Sequence, residues 1–285
     1  MTDMDLGRIG VWSMELRFGD KAEASAAAAE IEALGYGALW VPGGVGGDVT
    51  GDIDHLLAAT KAMPIATGII NVWMHEPAEI FGWFNGLPAD QQQRLMLGLG
   101  ISHEPLIGAA YVKPLAKMRD YTKAMLAGGV PPSNMCLAAL GPKMLALSGA
   151  LTAGAHPYLV SPSHTAMARA VLGPGKLLAP EQGVVLEDDL DKARNIARGA
   201  LEMYRKLPNY CNNWLRMGMT QDDIDSASDR LIDALFACGP AEAIKARADE
   251  HLTAGADHVC LQVVTETGGL QAAMGVFREL APVLL

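Results

Sequence analysis

A (β/α)8 barrel is the fold class the sequence predicts, and three observations predict it. First, "AAAAEIEALGYGALWVP" (26–42), "LALSGALTAGAHPYLVSP" (145–162) and "RADEHLTAGADHVCLQVV" (247–264) follow one plan: a helical pattern, a glycine, then an apolar run. Second, those apolar runs are continuous rather than alternating. Strands covered by helices on both faces read that way, and such strands belong to parallel sheets. Third, eight runs of this kind are spread over 285 residues, half of them hydrophobic and only 6% aromatic. That length and that small-residue content suit eight strands alternating with close-packed helices.

Taken in order, the strands are expected at 8–12, 38–41, 65–70, 94–101, 135–140, 157–160, 176–179 (resuming at 183–186) and 258–264. Gly35, Gly154 and Gly255 stand where a helix end takes a left-handed residue. Leu115, Met118, Thr122 and Met125 follow helical spacing, as do Leu190, Ala193, Ala197 and Leu201. Pro240 suits the first turn of a helix running to Thr253. The long gap between the last two strands, about 187–257, holds more than one helix, with "KLPNYCNNWLRMGM" (206–219) as an inserted loop. No Ser/Gly linker divides the chain, so one domain over 1–285 is expected.

The net charge is −10, with no run of Lys or Arg. This excludes the electrostatic footprint of a nucleic-acid binder. No uncharged apolar run approaches the ~20 residues that span a bilayer, and "MTDMDLGRIG" has no basic-then-apolar leader pattern. Cys136, Cys211, Cys238 and Cys260 are widely spaced, which fits free thiols and a cytoplasmic location. A homodimer through apolar outer helices is compatible with the pattern.

The tripeptide His-Glu-Pro occurs at 75–77 and at 103–105, each time after an apolar run. Glu-Pro alone is a good helix start, because proline fits the first turn and a carboxylate faces the positive helix end. The histidines need another reason. In a barrel enzyme, residues just past the C-terminal strand ends face the active site. His103, and less directly His75, stand there and can transfer protons or bind metal. No H-x-H near the first strand supports a metal, and no metal ligand is assigned. Trp12, Trp40 and Trp73, at or just past strand ends, are placed to wall a pocket, though Trp40 fits core packing equally.

Gly68, Gly98, Gly100 and Gly141 leave several strands without side chains near one end. Either they relieve crowding in a narrow barrel or they expose backbone on which a flat ring can lie. "AALGPKML" (138–145) and "YLVSPSHTAMARA" (158–170) each read as strand, turn and helix start. Free amides and hydroxyls at such helix starts hold phosphate, while Ser161 or Ser163 serves equally as a simple N-cap. No dinucleotide-binding, P-loop or nucleophile-elbow motif is present.

Over nearly its whole length the chain resembles the bacterial luciferase-like monooxygenase superfamily, in particular its actinobacterial branch of deazaflavin (coenzyme F-420)-dependent oxidoreductases. The resemblance is carried by "GYGALWVP", "IATGIINV", "RLMLGLGISHEP", "LAALGPKMLALSGALTAGAHPYLVSPSHTAMAR", "LAPEQGVVLEDDLDKAR" and "LPNYCNNWLRMGM", in that order. It implies a luciferase-like TIM barrel with an insertion around strand seven and a cofactor at the C-terminal mouth. The cofactor is coenzyme F-420 or, alternatively, FMN in a monooxygenase. It implies a cis peptide at Gly68-Ile69 supporting the ring, and contacts from Gly100, Ser102 and His103. Leu140 and Gly141 would lie along the tail, with Ser161 and His164 in the phosphate neighbourhood. Deazaflavin-dependent sugar-phosphate dehydrogenases of this superfamily carry a histidine where this chain has Gly43 and Gly44, and a glutamate where it has His103. Their substrate is therefore not transferred. The expectation is hydride transfer to or from a small organic substrate, with His103 catalytic and with Trp12, Trp73 and His75 on the substrate side. A metal-dependent barrel hydrolase using the His-Glu pairs, and a barrel that binds cofactor without turnover, are the competing readings.

Overall fold

The computed structural model describes residues 4–44 and 46–285. Its strands are β1 (Ile9–Trp12), β2 (Leu39–Gly43), β3 (Ile65–Asn71), β4 (Leu95–Gly100), β5 (Met135–Leu137), β6 (Gly154–Ala155), β7 (Leu177–Leu178), β8 (Glu181–Leu186), β9 (Phe236–Gly239) and β10 (Val259–Val263). All pair in parallel, in the order β7-β6-β5-β4-β3-β2-β1-β10-β8-β9. The strands β7 and β8 are two pieces of the seventh barrel strand, split at Ala179 and Pro180. The Ala179 and Glu181 amides donate to the Ala155 and Pro157 carbonyls, both at 2.9 Å, and the Pro180 carbonyl accepts from Cys260 at 3.1 Å. One segment thus bonds to strand six on one side and to β10 on the other, and the eight-fold ring closes.

Sequence and structure differ at three places. The apolar run at 157–160, expected as strand six, follows it instead: β6 is the pair Gly154–Ala155. Pro157 has no N–H to extend a ladder, and Leu159 turns to a positive φ of 53°. Gly154 accordingly sits in a strand rather than at a helix end, whereas Gly35 and Gly255 take the left-handed conformation at φ 96° and 106°. The segment expected as an inserted loop contains the helix Pro208–Arg216, started by its proline and burying Tyr210, Asn213 and Trp214 at helical spacing. Finally, β9 pairs with the outer edge of β8 and belongs to no barrel repeat.

The apolar face between sheet and helices is large: Val11, Leu39, Ile65 and Leu97 pack with Ile31, Leu57, Phe84 and Phe277. The barrel interior is filled differently, by small side chains around two tryptophans: Ala38, Ala66, Cys136, Ala179 and Cys260 with Trp12 and Trp40. Trp40 is wholly buried. Its Nε1–H donates to His258 Nε2 at 3.0 Å and its ring stacks on His156 at 4.2 Å, so it plugs the barrel. The helices expected around Met118 and Ala193 form as Pro114–Ala127 and Leu190–Leu201, and Pro240 takes the N-cap of Ala241–Thr253. Among the described residues no helix is long and apolar enough to cross a membrane, and the four cysteines are free.

Candidate active site

The C-terminal ends of the strands open into a cavity of about 400 Å3. Its floor comes from Trp12 at the end of β1, Gly68 and Ile69 in β3, and His156 just past β6. One wall is the segment after β4, Gly100 to His103; another is the segment after β5, Ala138 to Gly141. Tyr158 and the inserted stretch supply the roof, through Met203, Tyr204, Leu207, Asn209, Tyr210, Asn212 and Arg216. The lining is mostly apolar with a few convergent polar groups, the usual character of a small-molecule site.

The Gly68-Ile69 bond is cis. Here β3 bulges against both neighbours, with register shifts after Val41 and after Ala66. The bulge explains the strand glycines. A Cβ on Gly100 would run into the Ile69 side chain, and one on Gly98 into the Thr67 carbonyl oxygen. Both glycines therefore relieve crowding, the first of the two readings above. The bare backbone expected there is covered by Ile69, which itself faces the cavity. Gly141 is different: a Cβ there would meet only Arg216 Nη2, at 3.7 Å.

Several buried polar atoms at this site have no partner. His156 Nδ1–H donates to the Ala179 carbonyl at 2.7 Å, which leaves Nε2 as a bare acceptor without a partner. Trp12 Nε1 and His103 Nδ1 are likewise buried and unpartnered. Burial pushes both His103 and His156 down to about 4, so both are neutral at pH 7. His103 is the N-cap of the short helix Glu104–Ile107 and packs on Tyr210 with ring centroids 5.0 Å apart. Above the floor runs a directed chain: Tyr204 O–H donates to Tyr158 Oη at 3.1 Å, and Tyr158 donates to Gln262 Oε1 at 2.7 Å.

Of the residues predicted from sequence, Trp12, Gly68, Ile69, Gly100, Ser102, His103, Leu140 and Gly141 converge on this cavity. Ser161 and His164 stand behind it. Ser161 caps the helix Pro162–Leu172 by accepting the His164 N–H at 3.4 Å, and His164 Nε2–H donates to the Leu140 carbonyl at 2.8 Å. They support the turn that presents Gly141. Trp73 and His75 lie outside the lining: Trp73 Nε1–H is spent on the Ile101 carbonyl at 2.8 Å, and its ring packs against Tyr111. Glu76 caps the helix Pro77–Gly86 in a reciprocal box with Glu79, the plain helix-start role. No group of three or more His, Cys, Asp or Glu side chains among the described residues is placed to hold a metal ion, so the hydrolase reading lacks a ligand set there. Sequence reasoning missed His156, Tyr158, Tyr204, Tyr210 and Arg216. The inserted residues had one visible signal, the helical spacing of Tyr210, Asn213 and Trp214.

A planar redox ring fits these residues: the cavity has room, apolar walls, unpartnered polar atoms at its floor and a cation at its rim. Arg216 stands beside Gly141 at the N-terminus of the helix Pro142–Leu151, where an anionic tail finds both a guanidinium and the positive helix end.

Comparison with solved structures finds the same architecture. An F-420-dependent secondary alcohol dehydrogenase, solved in complex with an F-420–acetone adduct, superposes with a TM-score of 0.74 at 17% identity, over 98% of this chain and 99% of that one. The coenzyme F-420-dependent tetrahydromethanopterin reductase from Methanopyrus kandleri gives 0.71 at 14%, over 98% and 99%. The FMN-bound oxygenating constituent of 3,6-diketocamphane monooxygenase from Pseudomonas putida gives 0.68 at 12%, over 98% and 99%. Comparison with curated protein sequences returns no match. Residues 4–129 match the sequence model of the luciferase-like monooxygenases, and the barrel is shared with these solved structures over the whole length.

Proposed function

We propose that the protein is a coenzyme F-420-dependent oxidoreductase acting on a small organic substrate. The observation that carries this reading is the cavity itself: a neutral, largely apolar chamber at the strand ends, floored at Gly68 and Ile69, with Arg216 and the Gly141 turn at its rim. A bound deazaflavin would supply hydride transfer. The chain's own residues bind, orient and keep the chamber dry. Ile69 and Trp12 offer a flat apolar seat, the Leu140–Gly141 turn and Arg216 take the anionic tail, and His164 holds that turn in place. His103 presents a neutral imidazole to the chamber.

Two of the solved neighbours are named for F-420, which supports that choice of cofactor. An FMN-dependent monooxygenase is the second reading, favoured by the FMN-bound neighbour and by a floor that suits either tricyclic ring. A turnover screen separates them. Purified protein with oxidised F-420 and a panel of alcohols, or with reduced F-420 and the matching carbonyls, is expected to change the deazaflavin absorbance. Turnover with reduced FMN and oxygen alone would replace this reading by the second.

A further inference from the structure

A second cavity, of about 280 Å3, adjoins the first. Met14, Tyr158, Met203 and Tyr204 line both, so they form the wall between them. Beyond that wall the second chamber is lined by Leu159, Phe236, Val263, Val264 and Ala273, and by Ala200 from the end of the helix Leu190–Leu201. Part of the wall is adaptable. Met14 is 40% and Met203 57% exposed, and such unbranched side chains repack easily. One ligand can therefore extend across both chambers.

Charge separates the two chambers. In the first, the one fixed charge among the described lining residues is Arg216, beside Gly141. The second has no Lys, Arg or His among its described lining residues, and its one charged side chain is the half-buried Glu15. One Glu15 carboxyl oxygen accepts the Ser13 Oγ–H at 2.8 Å. Arg17, two positions on, is paired with Asp52 at 3.1 Å, and among the described residues no Lys, Arg or His stands within ion-pair distance of Glu15. An anionic ligand here would meet a like charge with no cation beside it. An ammonium group meets a carboxylate, and the tyrosine rings of the wall are favourable neighbours for a cation.

We propose that the second chamber is an ammonium-binding site, in which Glu15 holds the cationic end of an organic amine substrate while its other end reaches the first chamber. That the amine is a substrate rests on the oxidoreductase reading; the binding site itself does not. Calorimetric titration of the full chain with benzylamine, protonated at pH 7, and with its uncharged counterpart benzyl alcohol tests it, with and without F-420. The wild type is expected to bind the amine about ten-fold more tightly than the alcohol, as for one charge-assisted hydrogen bond. In Glu15→Gln, which keeps the size of the side chain and an acceptor for Ser13, that preference disappears. Ala200→Phe, which fills the second chamber, should abolish amine binding and leave the F-420 titration as in the wild type; should it fold poorly, Glu15→Gln decides alone. A wild type that binds the amine no better than the alcohol overturns the proposal, and so does a preference that persists in Glu15→Gln. A wild type that takes up no F-420 counts against the oxidoreductase reading, and the coenzyme-free titrations then still decide whether the chamber binds ammonium.

Discussion

One carboxyl oxygen of Glu181 accepts the backbone N–H of Leu159 at 3.1 Å, and Leu159 stands at a left-handed φ of 53°. The other oxygen, Oε1, is buried without a partner. Trp214 Nε1–H donates to the Leu159 carbonyl at 3.2 Å, so the turn that presents Tyr158 is held from both sides. Burial raises the Glu181 carboxyl from 4.5 to about 8, and it is protonated at neutral pH. In the unfolded chain the same group ionises near 4.5. Between those values the unfolded state binds fewer protons than the folded state, so stability falls as pH rises. The contribution is complete below the unfolded value and is lost once pH passes about 8. Glu181→Gln keeps an oxygen for Leu159 and removes the titration. Melting temperatures measured at intervals across that range should fall for the wild type relative to the variant; parallel curves would contradict the assignment.

Gly100 and Ile69 are matched in volume, because a Cβ on the first meets the side chain of the second. Gly100→Ala is expected to cost about 1–3 kcal/mol, the usual effect of overpacking a tight core. Adding Ile69→Ala should recover at least half of that loss. Urea unfolding of the single and double variants measures both, and additive losses would show the two positions to be independent.

His103 is neutral above about pH 4 because it is buried. Its contribution to turnover is therefore expected to be flat from pH 5 to 8. His103→Ala should lower turnover by on the order of 100-fold, the scale of one proton-transfer group, while coenzyme affinity changes by less than about three-fold, below one neutral hydrogen bond. A variant that binds coenzyme and keeps wild-type turnover removes His103 from the chemistry.

Arg216 is the residue proposed to meet the anionic end of the coenzyme. Arg216→Ala is expected to weaken coenzyme binding about ten-fold, as for one charge-assisted hydrogen bond. The difference should shrink as salt rises, because the group is exposed. A loss that does not depend on salt would place the tail elsewhere.

Much of the barrel was legible in the sequence because buried parallel strands announce themselves as unbroken apolar runs. The run at 157–160 misled for the same reason: Leu159 and Val160 are as buried as a strand, yet Pro157 and the turn at Leu159 take them out of the ladder. β9 was illegible because Phe236–Gly239 is four residues long and lies between helices. At the site, the residues on strand ends could be read from position alone. Tyr204, Tyr210 and Arg216 could not, because they reach the cavity from a distant insertion whose docking no local pattern encodes. The glycines show the limit most clearly. The sequence shows Gly98 and Gly100 as bare positions near a strand end, but only the bulge at Gly68-Ile69 shows what fills the space they leave.

The chamber floored by Gly68 and Ile69 is proposed to seat a deazaflavin. Titration of the purified protein with oxidised coenzyme F-420 and, separately, with FMN, followed by absorbance and fluorescence, tests it directly. Saturable binding of F-420 with a perturbed ring spectrum, weakened in Arg216→Ala, is expected. Saturable binding of FMN with none of F-420, or no binding of either, would contradict it.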